Sequence, residues 1–194
     1  PIHIPAGAYE RAHKAVWAYG TAGVVWAICV WIVASLCMAA GLASPIAASF
    51  GLIIGILVTG AMHEDGLADC TDGFWGGWER ERRLEIMRDS RLGVYGSLAL
   101  IVSTGLRWQL IAALLEDENS FLAMLLAGMF ARSILPLIMA HLPQARSDGL
   151  SHSVGIPTGS GVYFSLVISV LISLVFLGVT GVMLAVIAAC TGVL

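Results

Sequence analysis

Two long stretches of this sequence carry no formally charged side chain. From Ala15 to Met62 there is no Asp, Glu, Lys or Arg, and Gly149 to Leu194 is equally bare. A helix needs about 20 apolar residues to cross ~30 Å of hydrocarbon, so each stretch is long enough for two crossings. Only 12% of the 194 residues are charged, about half the share usual in soluble domains. The pattern therefore predicts an all-α fold: a polytopic integral membrane helical bundle, one membrane domain over residues 1–194.

The polar interruptions divide the chain into about six spans. The first covers 15–40 and ends at the turn Gly41-Leu42-Ala43-Ser44-Pro45. The second covers 46–62, and a polar segment, 63–93, follows. The third covers 94–115 and the fourth 121–140, with the acidic turn Glu116-Asp117-Glu118-Asn119-Ser120 between them. After a second polar loop, 141–161, the apolar tail 162–194 is too long for one crossing. Two spans hinged near Gly178-Val179-Thr180-Gly181 are expected there, the last cut short by Leu194.

Lys and Arg in short loops set orientation. Arg11 and Lys14, the five arginines of 63–93, and Arg146 fall in segments separated by pairs of spans, while the turns 41–45 and 116–120 carry none. All three basic segments are expected on the cytoplasmic side. Arg80, Arg82 and Arg83, interleaved with Glu79 and Glu81, read as solvated topology signals, and Trp75 and Trp78 as interfacial anchors. A net charge of −3 without basic excess argues against nucleic acid as a partner. The four cysteines form no CxxC pair and read as small hydrophobes.

The chemistry concentrates in His63-Glu64-Asp65-Gly66-Leu67-Ala68-Asp69-Cys70-Thr71-Asp72-Gly73. Asp65, Asp69 and Asp72 are spaced i, i+4, i+7, within about 60° on one helix face and over ~10 Å of axis. Carboxylates so arranged repel unless a cation lies between them, and hard oxygen donors suit Mg²⁺, with Mn²⁺ the substitute. Glu64 lies about 100° from that face and His63 nearly opposite, so both are weaker candidates. Further along, Asp89 stands between Arg88 and Arg91, with Ser90 as a minor candidate. Arginine reads phosphate through its fork of donors, so a metal held by carboxylates beside arginines suits a diphosphate substrate. Arg107 and Arg132 lie inside predicted spans, where a charge must face the protein interior or snorkel. Arg132, with Pro136 one turn on to kink the helix, is a candidate phosphate ligand. Arg146 is the candidate from the second polar loop.

On these residues the chain resembles the cobalamin (5′-phosphate) synthase family, the adenosylcobinamide-GDP ribazoletransferases. The resemblance rests on His63-x-Asp65-Gly66-Leu67-Ala68-Asp69-x-x-Asp72-Gly73, followed by Leu84-Glu85-Ile86-Met87-Arg88-Asp89-Ser90-Arg91-Leu92-Gly93-x-x-Gly96. Weaker matches flank it: Pro1-Ile2-His3-Ile4-Pro5, Ala131-Arg132, and Ala145-Arg146-x-x-Gly149-Leu150. The family's further glycine- and acid-containing segment, beyond the last hydrophobic stretch, has no counterpart before Leu194, so part of the site is expected outside this chain. The resemblance implies a Mg²⁺-dependent transferase of the bacterial inner membrane, its active site facing the cytoplasm. Such an enzyme joins adenosylcobinamide-GDP to α-ribazole or its 5′-phosphate and releases GMP. Asp65, Asp69 and Asp72 would hold metal, Arg88, Arg91, Arg132 and Arg146 would hold phosphate, and Asp89 would complete the metal site or act as base.

The aspartate pattern also looks like CDP-alcohol phosphotransferases and, more loosely, like aspartate-rich membrane prenyltransferases. The first class places Ala-Arg where this chain has Ala68-Asp69, and the second wants two aspartate-rich repeats. A cation transporter is a rival of another kind. Its ligands usually lie at the bilayer midplane, whereas these aspartates fall at the end of a predicted span.

Overall fold

The structure, a computed structural model, describes residues 12–157 and 159–192, without the side chains of 12, 150 and 177–192. The Pro1–Pro5 match and Arg11 lie outside the described residues. Two short 3₁₀ turns, Ala12–Lys14 and Val16–Ala18, lead into α1 (Tyr19–Ala39). Then follow α2 (Ser44–Thr59), α3 (Met62–Gly76), α4 (Arg80–Ile86) and α5 (Val94–Leu114). The chain continues with α6 (Ser120–Ser133), α7 (Leu135–His141), α8 (Leu150–Val154) and α9 (Gly161–Gly192). Among the described residues every regular element is helical, as the sequence predicts.

By length and composition, Val16–Ala39, Val94–Leu114 and Ser120–His141 are long and apolar enough to cross a bilayer. Their surfaces agree: Leu36, Val94, Ile101, Leu110 and Phe121 are exposed, which is stable only against lipid or another apolar surface. This is a multi-pass membrane protein.

The second predicted span departs from a plain crossing. α2 and α3 meet at 85° across a short break. Gly60 and Ala61 make the corner, both left-handed (φ 63° and 58°). The amides of Gly60 and Ala61 still reach back to Leu57 and Ile56 carbonyls at 3.1 and 3.0 Å, so α2 is closed before the chain turns. The polar segment after the corner is thus mostly helix: α3, then α4 folding back, with Arg83 Nε donating to the Gly77 carbonyl at 2.8 Å.

The expected hinge at Gly178–Gly181 is absent. α9 runs unbroken for 32 residues, ~48 Å. A helix-interior glycine costs only about 1 kcal/mol, whereas opening the backbone in an apolar setting leaves polar groups unsatisfied. A proline does break the helix that carries Arg132. Pro136 cannot donate to the carbonyl four residues back, α6 stops at Ser133, and α7 restarts at Leu135.

The chain divides into two compact units, residues 1–28 with 121–194, and residues 29–120. In the first, α1 and α6 touch backbone to backbone: a Cβ at Gly23 would overlap the Gly128 carbonyl. Beside this contact Ser165 Oγ accepts the Gly20 amide at 2.9 Å and lies 3.0 Å from Ser133 Oγ, itself 2.7 Å from Ser169 Oγ. In the second unit, Ser44 Oγ donates to Glu116 at 2.7 Å and Trp108 Nε1 to the Pro45 carbonyl at 2.7 Å. These bonds tie the start of α2 to α5 and to the acidic turn after it.

Candidate functional site

Asp65, Asp69 and Asp72 all lie on α3, so the helical spacing read from sequence is realised. Their surroundings differ. Asp65 is exposed, Asp69 half-buried and Asp72 buried. Asp72 turns its carboxylate onto the start of α5: Gly93 N–H donates to one oxygen at 2.7 Å and Gly96 N–H to the other at 2.8 Å. Among the described residues no three His, Cys, Asp or Glu side chains converge closely enough to hold a metal ion. The expected three-carboxylate cage is therefore not formed in this geometry. Asp65 and Asp69, one turn apart on one face of α3, are two hard oxygen donors. That pair fits Mg²⁺, which commonly takes one or two carboxylates and fills its octahedron with water and substrate phosphate.

The same two amide bonds bring the second motif against the first. The loop between α4 and α5 carries Arg88, Asp89, Ser90 and Arg91, and Gly93 ends it on Asp72. Asp89 accepts from Arg91 Nε at 2.9 Å, from its terminal nitrogen at 2.5 Å, and from the Arg91 amide at 3.2 Å. The Arg91 guanidinium, then the Arg91 amide, holds the Asp89 carboxyl below its usual pKa, and Asp89 raises that of Arg91 in turn. The Arg91 side chain is otherwise open to solvent, 88% exposed. Arg88 and Ser90 are exposed on the same loop.

Glu64 has a role that its angular position on α3 left unassigned. Arg107, well inside α5, donates to Glu64 Oε1 at 2.7 Å, with the Glu64 side chain only 11% exposed. The second Glu64 oxygen and Arg107 Nε are buried without a hydrogen-bond partner among the described residues. The intramembrane arginine thus faces the protein, as its cost in lipid requires. With Asp72 at the start of α5 and Glu64 beside its later turns, α3 runs antiparallel along α5, and Asp65 and Asp69 lie between the two attachments. His63 is exposed at the first turn of α3.

Arg132 and Arg146 belong to the first unit. The Arg132 guanidinium sits over the Trp26 indole, 5.4 Å from its centroid, a cation–π contact. Arg146 is half-buried in the loop before α8. In the second unit, Trp75 stacks on Tyr95 at 6.1 Å and Trp78 is 93% exposed, consistent with anchors at a membrane interface.

Sequence reading missed the cap made by Asp72. The available signal was a helix start, Gly93-Val94-Tyr95-Gly96, with no capping side chain of its own. Such a start needs acceptors from elsewhere.

The fold is that of a multi-pass membrane protein whose polar helix α3 carries the aspartates and, through Asp72, meets an arginine-bearing loop. The family model described as Cobalamin-5-phosphate synthase matches residues 1–194, and the chain belongs to that family. It is similar to the adenosylcobinamide-GDP ribazoletransferase of Bradyrhizobium diazoefficiens, 42% identical over 180 residues, 90% of this chain and 69% of the relative. The enzyme of that name from Azorhizobium caulinodans is 40% identical over 190 residues, 93% of this chain and 72% of the relative. That of Mesorhizobium japonicum is 42% identical over 141 residues, 73% of this chain and 54% of the relative. No solved structure matches the chain.

Proposed function

We propose that this chain carries the catalytic face of an adenosylcobinamide-GDP ribazoletransferase that uses α-ribazole or its 5′-phosphate as acceptor. The carrying observation is the pair of bonds from Asp72 to Gly93 and Gly96, which folds the aspartate motif onto the arginine loop. In the reaction an acceptor hydroxyl oxygen bonds to the corrin-bearing phosphorus of the diphosphate. The phosphorus–oxygen bond to GMP breaks, GMP leaves with the bridging oxygen, and the hydroxyl proton passes to a base.

Asp65 and Asp69 would hold Mg²⁺, or Mn²⁺ in its place, which supplies neutralisation of the diphosphate oxygens when bound. Arg91 and Arg88 are the loop cations for those oxygens. Asp89, kept ionised by Arg91, is the carboxylate we assign to receive the hydroxyl proton. The Lys and Arg distribution supports a cytoplasm-facing site, and the family resemblance implies the bacterial inner membrane. Detergent-solubilised protein supplied with adenosylcobinamide-GDP and α-ribazole should release GMP in a Mg²⁺-dependent manner. Release of CMP from CDP-alcohols, without GMP release, would overturn the proposal.

A further inference from the structure

We infer that Asp72 is a positioning residue rather than a metal ligand, supplying from α3 both halves of a capping box at the start of α5. In an ordinary capping box the N-cap side chain accepts the N3 amide, and the N3 side chain reaches back to the N-cap amide. The N-cap here is Gly93 and N3 is Gly96, so neither has a side chain to give. One buried carboxylate takes both amides at 2.7 and 2.8 Å. Both glycines are required by the same geometry, because a Cβ at either position would overlap the Asp72 carboxylate. The negative charge also meets the positive end of the α5 dipole. Asp72, Gly93 and Gly96 therefore act as one unit, and its effect is to fix the end of the Arg88–Arg91 loop against α3 at Asp72, one turn from Asp69.

This inference rests on the proposed function for what the loop binds, but the cap can be tested without turnover. Three variants of the full chain in detergent separate the roles: Asp72→Asn, Asp69→Asn and Gly96→Ala. Mn²⁺ binding followed by electron paramagnetic resonance reads the metal, and amide hydrogen exchange over 93–97 reads the cap. Asp72→Asn, which sets an amide NH₂ against backbone N–H, should speed that exchange about tenfold or more while Mn²⁺ affinity changes by less than about twofold. Asp69→Asn should weaken Mn²⁺ about tenfold or more and leave the exchange unchanged. Gly96→Ala keeps every carboxylate and should reproduce the exchange change of Asp72→Asn, so misfolding of one variant leaves the other informative. With substrate, both cap variants should raise KM for the diphosphate more than they lower kcat.

Loss of Mn²⁺ affinity in Asp72→Asn equal to that in Asp69→Asn, with exchange unaltered, would overturn the inference. Unchanged exchange in both cap variants would do so as well. Wild-type protein that binds no Mn²⁺ would instead refute the metal reading of Asp65 and Asp69, while the exchange result would still decide the cap.

Discussion

The two units of this membrane protein hold their helices together by opposite means. In residues 29–120, α3 is attached to α5 by charge: Asp72 on two amides and Glu64 on Arg107. In the other unit, α6 meets α1 through Gly23 and Gly128, and hydroxyl groups of Ser133, Ser165 and Ser169 line the buried side. Between helices in lipid, small residues and hydroxyls are the usual means of association. Charges are expensive there and are kept for function. The carboxylates proposed for catalysis lie in the charged unit, on the helix its ion pair fastens. The comparison teaches that α3 is too polar to be held by apolar packing, so it is held by the few charges that α5 can offer.

Removing one end of the ion pair tests this most severely. Arg107→Met leaves Glu64 largely buried and uncompensated; breaking a fully buried pair from one side costs about 3–5 kcal/mol, and this part-buried pair falls at or below the low end of that range. The variant should lose thermal stability in detergent by that order, while Glu64→Gln combined with Arg107→Met recovers most of the loss. Equal destabilisation by the single and the double variant would mean that Arg107 acts by volume rather than charge.

Asp69→Asn or Asp65→Asn should act on turnover instead. Losing a group that organises transition-state charge costs about 10²–10³ in kcat. Because the Asp65 side chain is exposed and takes no part in the attachments at Asp72 and Glu64, the melting temperature of Asp65→Asn should be unchanged. A fall in melting temperature as large as that of Arg107→Met would erase the division between holding groups and reacting groups.

The pH response of the arginine loop follows from the lowered pKa of Asp89. A carboxyl depressed in the folded protein keeps its charge above the ordinary carboxylate value of about 3.9. Its interaction is lost only as pH falls through the lower, folded value. Arg91→Gln removes the first cause of the depression, so the acidic limb of the kcat/KM profile should move to higher pH. A limb that stays in place would exclude Asp89 as the proton acceptor.

What the sequence made legible divides along the same line. The uncharged runs revealed the spans, because a charge in hydrocarbon is costly enough to leave a long-range absence in the sequence. The i, i+4, i+7 spacing placed three aspartates on one helix. The corner at Gly60 and Ala61 was not legible, since a left-handed alanine carries no turn signature and is imposed by what α2 and α3 must each pack against. Asp72 as a cap was hidden for a related reason. Its partners are amides that become orphaned only when α5 begins at Gly93, 21 residues away. The Gly178–Gly181 hinge was over-read from length and glycine alone, when neither compels a break inside a helix.

The serine contact should give the smallest effect, and that smallness is itself the test. Ser133 Oγ is fully buried and donates to the Met129 carbonyl at 2.8 Å, with Ser165 and Ser169 hydroxyls alongside. Ser133→Ala removes three contacts, yet the Met129 carbonyl retains its place in the helix ladder and the neighbouring hydroxyls have other partners. Ser169 donates to the Ser165 carbonyl at 2.8 Å, and Ser165 keeps the Gly20 amide. Interhelical hydrogen bonds in membranes average about 0.6 kcal/mol, because the separated helices also find partners. A loss of about that size, read by thermal unfolding in detergent, would keep the first unit distinct from the second. A loss approaching that of Arg107→Met would mean that hydroxyls hold helices as firmly as charges do, and the contrast between the two units would fail.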